Sequence, residues 1–308
     1  MHIRTNPVLN KLFQPLILFC RWLGRNYPEL LVKIRYFFRF KKFLNLKNPS
    51  TLNEKILYQS LKTEIGLRTK LTDKWRVREY VDECGLSHIL VKSYGAWKNA
   101  NDINFDSLPQ SFVLKPNHGC GDLIFVKDKN EIDKGNMVKL INHDLSQVYG
   151  ELEGGIHYFD IQPLVVAEEM IYNDEVSALY SSSIIDYKIW CFNGKAHYIM
   201  TCTNRNKKSV ELTVYDREWN RHPEYSVSNN DYLLGDVIPK PQNLDNMLEI
   251  AELLSKPFDV VRVDLYNLAG RIYFGEMTFT SLGGLMDYYS NEFQNLAGSL
   301  IDLKDVNS

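Results

Sequence analysis

The 308-residue chain lacks a long apolar run, a close cysteine pair and a large net charge, and each absence closes a class of function. The apolar stretch at residues 15–23 is broken by Arg21 and falls far short of the roughly 20 residues a membrane-spanning helix needs. No small-x-small cleavage pattern follows it, so a secretory signal is not expected. The five cysteines (Cys20, Cys84, Cys120, Cys191, Cys202) contain no C-x-x-C pair, which excludes a zinc ribbon or a dithiol redox motif. Their odd number suits reduced thiols in a cytosolic compartment. A formal charge of −2 argues against a general nucleic-acid binder. There is no internal repeat and no low-complexity segment. What is present is 44% hydrophobic residues, enough for a full core in one large domain or two to three lobes.

The charge is unevenly placed. Residues 1–48 carry ten Lys and Arg against one acidic residue, Glu29, so a basic arm precedes an acidic body. In the arm Leu12, Leu16, Phe19 and Leu23 recur at helical spacing, and a second aromatic-basic stretch occupies residues 33–43. Two readings stay open. The arm lies on an anionic lipid surface, making the protein peripheral on the inner face of the plasma membrane. Alternatively, its apolar stripe docks on the protein's own body and the cations are solvated.

Beyond the arm the pattern mixes helices with hairpins. Thr51 and Glu54 form a capping-box signature, and a helix is expected over 73–81. Residues 112–115 and 123–127 read as two strands joined by a glycine loop, unlike the strand–loop–helix of a Walker P-loop. A strand is expected over 164–171 and helices over 131–150, 243–255 and 291–303. Two hairpins are expected, one turning at Asn193-Gly194 and one through residues 267–270. The fold class is therefore α+β.

Four features carry chemistry. Lys115 ends a strand before Asn117, His118, Gly119, Cys120 and Gly121, where glycines let backbone N–H groups approach phosphate and the lysine supplies charge. The same residues also read as a plain hairpin turn. Glu168 and Glu169, followed by Met170 and Ile171, can present an adenine-binding edge or a solvated carboxylate pair. Lys188, in the run Asp186-Tyr187-Lys188, can face a γ-phosphate or form a surface ion pair. Asp264 and Glu276 sit near the ends of one hairpin as cross-strand candidates, and Arg262 shares the face of Asp264. Two hard carboxylates suit Mg²⁺ with nucleotide oxygens. They also suit a structural Arg262–Asp264–Glu276 network or a glycosidase acid pair, although the latter leaves the lysines and the glycine loop without a role.

In order along the chain, LNLKNPSTLNEKI (44–56), TDKWRVREYV (72–81), SFVLKPNHGCGDLIFVKD (111–128), VVAEEMI (165–171), DYKIWCFNGK (186–195) and VVRVDLYNLAGRIYFGEMTFTSLGG (260–284) resemble the ATP-grasp superfamily. They look most like its TupA-like branch, linked to teichuronopeptide and other surface-polysaccharide biosynthesis. The resemblance implies two β-rich lobes clasping ATP, with Mg²⁺ or Mn²⁺ as cofactor. It divides the chain into the helical arm (1–48), a helical pre-grasp region (49–110), a small lobe (111–175) and a large lobe carrying the metal site (176–308). It implies that Lys74 and Lys115 contact the nucleotide phosphates and that residues 117–122 close over them. Glu168 would accept from the adenine amino group, with Met170 and Ile171 as the hinge. Asp264 and Glu276 would bind metal. Thr278 stands where many relatives carry a ligating Asn, and Asp122 in the loop is also a departure. The activity implied is carboxylate–amine ligation through an acyl phosphate, with Arg262, Lys188 and the amides at Gly283 and Gly284 stabilising developing charge. The implied substrates are ATP, an amino acid and a uronic-acid glycan of a capsule, O-antigen or teichuronopeptide, or its lipid- or nucleotide-linked precursor. A kinase acting on a glycan and a non-catalytic membrane-associated scaffold of polysaccharide assembly remain the alternatives.

Overall fold

The structure is a computed structural model describing residues 7–304 apart from 120 and 122, with side chains from residue 13 onward. In chain order come helices α1 (Pro7–Asn26), α2 (Pro28–Phe40), α3 (Leu52–Lys62), α4 (Gly66–Thr72) and α5 (Val77–Glu83), then strands β1 (Ser93–Trp97), β2 (Phe112–Pro116) and β3 (Ile124–Val126). Helix α6 (Lys134–Leu145) and strands β4 (Val165–Glu168), β5 (Asp186–Phe192), β6 (Lys195–Thr203), β7 (Val210–Asp216) and β8 (Tyr232–Leu234) follow. Helix α7 (Leu244–Ser255), strands β9 (Val260–Leu268) and β10 (Arg271–Thr278), and helix α8 (Asn291–Ser299) complete the order. The strands form a four-stranded sheet, β1-β4-β2-β3, and a six-stranded sheet, β10-β9-β5-β6-β7-β8. This is an α+β fold with a helical N-terminal region.

Local chemistry sets the boundaries. Thr51 caps α3, and the Glu54 carboxylate accepts the N–H groups of Ser50 at 3.0 Å, Thr51 at 3.2 Å and Asn45 at 3.3 Å. The helix expected from residue 73 begins at Val77, because the Asp73 carboxylate accepts from the amides of Trp75 and Arg76 and holds a turn ahead of it. The β5–β6 turn has Asn193 and Gly194 at φ 48° and 75°, and the β9–β10 turn has Ala269 and Gly270 at 50° and 82°. Left-handed geometry at both central residues matches the twist of a two-residue hairpin. Strands β7 and β8, between residues 203 and 236, have no counterpart in the sequence reading and extend the large sheet beyond β6.

The small sheet buries Phe112 and Leu114 against Ile141 and Leu145 of α6. The large sheet buries one face, including Ile189, Val263 and Met277, against α7. Its other face is divided. Trp190, Phe192 and Val260 are covered by α3 and α8, whereas Asp186, Lys188, Arg262 and Asp264 occupy the half that no helix covers with apolar residues. A break in register between Phe274 and Glu276 decides the rest. Phe274 pairs with Leu265 and Glu276 with Asp264, so Gly275 is a bulge. Strict alternation would put Phe274 and Glu276 on one face. The bulge sends Phe274 into the core and turns Glu276 toward Asp264.

A Cβ on Gly275 would lie 2.9 Å from the Asp264 carbonyl oxygen, a backbone atom that cannot step aside. Gly275→Ala is expected to destabilise the fold by about 1–3 kcal/mol. Urea denaturation with circular dichroism measures this; an unchanged midpoint would show that the bulge tolerates a side chain.

Candidate active site

The uncovered half of the large sheet holds a buried ion cluster. Asp264 is 1% exposed and faces Lys188 on β5 and Glu276 on β10. The Arg262 guanidinium donates to both Asp264 oxygens, Nε to Oδ1 and Nη2 to Oδ2, each at 2.7 Å. The Lys188 ammonium bridges Asp264 and Asp186, with Asp186 Oδ2 at 2.7 Å. Arg205 approaches Asp186 at 3.5 Å. Arg262 also donates to Thr278 and Ser281, lies 5.8 Å over the Trp190 ring, and Ser281 meets the Tyr288 hydroxyl at 3.0 Å.

Burial opposes the charge on Lys188 and Arg262, but Asp186 and Asp264 around Lys188, and chiefly Asp264 around Arg262, override it and hold both pKa values above the ordinary range. Burial also opposes the Asp264 charge, and Arg262 with Lys188 reverses that and keeps the carboxyl low. At Asp186 burial prevails, aided by Asp264, and its pKa is raised despite Lys188.

A cavity of about 280 Å³ opens over this cluster. Lys188, Arg262, Glu276 and Thr278 line it from the large sheet, and Lys74 and Gly119 line it from the opposite side. The Lys74 ammonium donates to the Gly119 carbonyl. The base of that loop is clamped. Asn117 is fully buried, donates to Asp73 at 2.8 Å and to the Gln162 carbonyl at 3.0 Å, and accepts from the Leu164 amide at 2.7 Å. Its side chain is a strut in this structure. His118 is buried, with Nε2 3.1 Å from the Gln147 carbonyl, and Gly119 packs beneath Tyr149. Gly121 adopts a left-handed φ of 87°. Cys120 and Asp122 lie outside the described residues.

Other sequence-selected residues stand apart from this cavity. Lys115 pairs with Glu168 across the small sheet, and Arg78 reaches the same carboxylate at 3.4 Å, so Glu168 is held between two cations. Glu169 is exposed and its amide donates to the Lys92 carbonyl, while Met170 is buried and Ile171 half-buried just beyond β4. Ser281 and Leu282 line the cavity; next to them the Gly283 amide donates to the Thr280 carbonyl at 2.9 Å, within its own loop, and Gly284 packs on Leu57. Sequence reasoning missed Arg205, Tyr232, Ser281 and Tyr288 in the cavity, and Arg78 beside Glu168. Arg78 sits within a motif already singled out. Tyr232 lies on a three-residue strand with no local signal of its own.

Carboxylates of the kind a hard divalent cation takes flank the cluster, although both Asp264 oxygens already accept from Arg262 and Lys188. Asp264 and Glu276 oppose each other, the Glu276 side chain is 39% exposed, and Asp186 keeps a buried Oδ1 without a hydrogen-bond partner. Magnesium commonly takes one or two protein carboxylates and completes its shell with phosphate oxygens. Among the described residues no group of three or more His, Cys, Asp or Glu gathers as a metal cage. Thr278 donates to Glu276 at 3.1 Å and accepts from Arg262, so its hydroxyl links the cluster.

The six-stranded sheet thus faces, across this cavity, the loop that follows β2 of the four-stranded sheet. The chain belongs to the TupA-like ATP-grasp family, whose model matches residues 54–302. No protein of curated function matches it. Among solved structures it is similar to the D-alanine–D-alanine ligase of Bacillus anthracis at 17% identity and TM-score 0.44, covering 75% of this chain and 64% of that one. It is similar to the L-amino acid ligase of Bacillus licheniformis at 13% identity and TM-score 0.45, covering 86% and 55%. A third, the D-alanine–D-alanine ligase of Helicobacter pylori, has 12% identity, TM-score 0.43 and coverages of 83% and 70%. The chain thus spans less than two thirds of the length of the first two, and likeness at this level carries no activity across.

Removing Asp264 takes from buried Arg262 its bidentate partner and leaves Lys188 with Asp186 alone. Asp264→Ala is expected to cost about 3–5 kcal/mol, and adding Lys188→Met should recover part of it, giving a coupling of about 0.5–3 kcal/mol. A denaturant double-mutant cycle measures the coupling, and strict additivity would refute the cluster.

Proposed function

We propose that the chain is an ATP-dependent, ADP-forming carboxylate–amine ligase. One observation carries this reading: Lys74 from one side of the cleft and Lys188, Arg262 and Glu276 from the other line a single cavity above Asp264. ATP lies between the sheets with its phosphates toward Lys74 and the loop at Gly119 and Gly121, which Lys115 would join on leaving Glu168. The adenine rests on the segment from Glu168 through Met170 and Ile171, where backbone groups do the recognition because Lys115 and Arg78 occupy the Glu168 carboxylate. Asp264 and Glu276 would hold Mg²⁺ or Mn²⁺, which supplies Lewis-acid neutralisation of phosphate oxygens when bound.

The reaction has two transfers. A substrate carboxylate oxygen attacks the γ-phosphorus, the bond to the ADP oxygen breaks, and an acyl phosphate forms. The amine nitrogen then attacks the acyl carbon, phosphate leaves, and the nitrogen gives its proton to solvent. Lys188 and Lys74 stabilise the transferring phosphoryl group by preorganised charge. Arg262 keeps Asp264 ionised and carries positive charge beneath the cavity floor, with Ser281 and Leu282 on the acceptor side. The substrates best suited to family membership are an amino acid and a uronic acid of a surface polysaccharide, presented as polymer or as a lipid- or nucleotide-linked precursor.

With ATP, Mg²⁺, uronic acid and amino acid, the expected products are an amide, ADP and phosphate bearing an isotopically labelled oxygen from the substrate carboxylate. A phosphorylated sugar without that label would establish a kinase, and failure to bind ATP would leave a scaffold. Lys188→Met and Glu276→Gln are each expected to lower kcat by about 10²–10³-fold. Circular dichroism checks that both variants remain folded, and near-normal turnover in both would overturn the site.

A further inference from the structure

Helix α2 is apolar on two opposite faces. Leu31, Val32 and Tyr36 are buried, and Val32 and Tyr36 pack in a cluster with Leu57 and Leu285. Leu30, Ile34, Phe37 and Phe38 lie on the other side and are exposed, Phe38 at 68%. The helix therefore docks on the body and still presents a second apolar stripe outward. On the neighbouring α1, Phe19 and Trp22 are stacked and each more than half exposed. Of the 27 exposed large apolar side chains among the described residues, 11 fall within residues 13–43. Concentration of this kind marks an interaction surface, since scattered single residues need no explanation.

Charge identifies what covers it. Lys41, Lys42 and Lys47 follow the stripe, are exposed, and form no ion pair among the described residues. Lys41 lies 5.6 Å over the Phe38 ring, and Phe43, 85% exposed, stacks on Phe37. Exposed aromatic rings beside free lysines are what a helix lying in an anionic lipid interface presents. Among the described residues no helix is long and apolar enough to cross a membrane, so the contact is in-plane. We infer that the α1–α2 hairpin seats the protein on an anionic bilayer surface through the outward stripe of α2. The inference stands apart from the ligase reading. The inner side of the same helix meets the segment next to the cavity-lining Leu282 and Tyr288, with Arg39 paired to Asp287 and a Cβ on Gly283 placed 3.2 Å from Arg35 Nη1.

The test uses the full chain with vesicles of phosphatidylcholine alone or mixed with phosphatidylglycerol. Co-sedimentation is expected only with the anionic vesicles and should weaken with added salt. Lys41→Glu/Lys42→Glu is expected to lower the binding constant by about tenfold or more. Phe37→Ser/Phe38→Ser should do the same without changing the melting temperature, because both rings are exposed. Equal binding to both vesicle types, no binding, or binding unmoved by either double variant would overturn the inference. So would a dimer in light scattering that Phe37→Ser/Phe38→Ser converts to monomer, since a second copy would then own the stripe.

Discussion

Asp264, enclosed by two cations on adjacent strands, is the constraint around which the cleft is arranged. A carboxylate this deeply buried cannot stay ionised without compensation. Arg262 supplies it from the same strand, two residues away, and Lys188 from the strand beside it. Each cation is in turn held ionised by the carboxylates. Loss of any member leaves its neighbours with less compensation for buried charge, so the members depend on one another. Such a cluster is an expensive way to stabilise a sheet. Well-packed apolar residues would serve as well or better, which makes a binding role the economical reason for it.

The position of that unit follows from the division of one sheet face. Along β5 the residues pointing forward run Asp186, Lys188, Trp190, Phe192, and along β9 they run Val260, Arg262, Asp264. The apolar ends lie under α3 and α8, and the charged ends open to the cavity. Trp190 stands at the border, with Arg262 over its ring and its indole N–H donating to the Tyr289 hydroxyl at 2.7 Å. Packing and chemistry share the same strands because period-two alternation leaves the rear face wholly for the core.

Much of this was legible in the amino-acid order. The Thr51–Glu54 cap, the Asn193-Gly194 turn, the paired strands around the glycine loop and the closeness of Asp264 to Glu276 rest on local rules, and each stands in the structure. The bulge at Gly275 did not announce itself, because a glycine in a strand can mean a bulge, a bend or nothing. Strand β7 pairs with the strand just before it across a short loop and begins by alternating apolar with polar residues, so its signal was present and went unread, whereas β8 is only three residues long and joins β7 in parallel. Asn117 looked like a phosphate-loop residue, yet its three partners at residues 73, 162 and 164 come from two other segments, which no spacing rule reveals. Arg205 and Tyr232 were invisible for the same reason.

The stretch between α2 and α3 is fixed to the body. Leu44 and Leu46 are buried, and the Glu54 carboxylate ties down the backbone at residues 45, 50 and 51. The N-terminal hairpin is thus a bracket and not a tether. A tether lets an enzyme search a volume around its anchor, whereas a bracket fixes one orientation. Whatever surface the hairpin rests on, the mouth of the cleft meets it at an angle set by the fold.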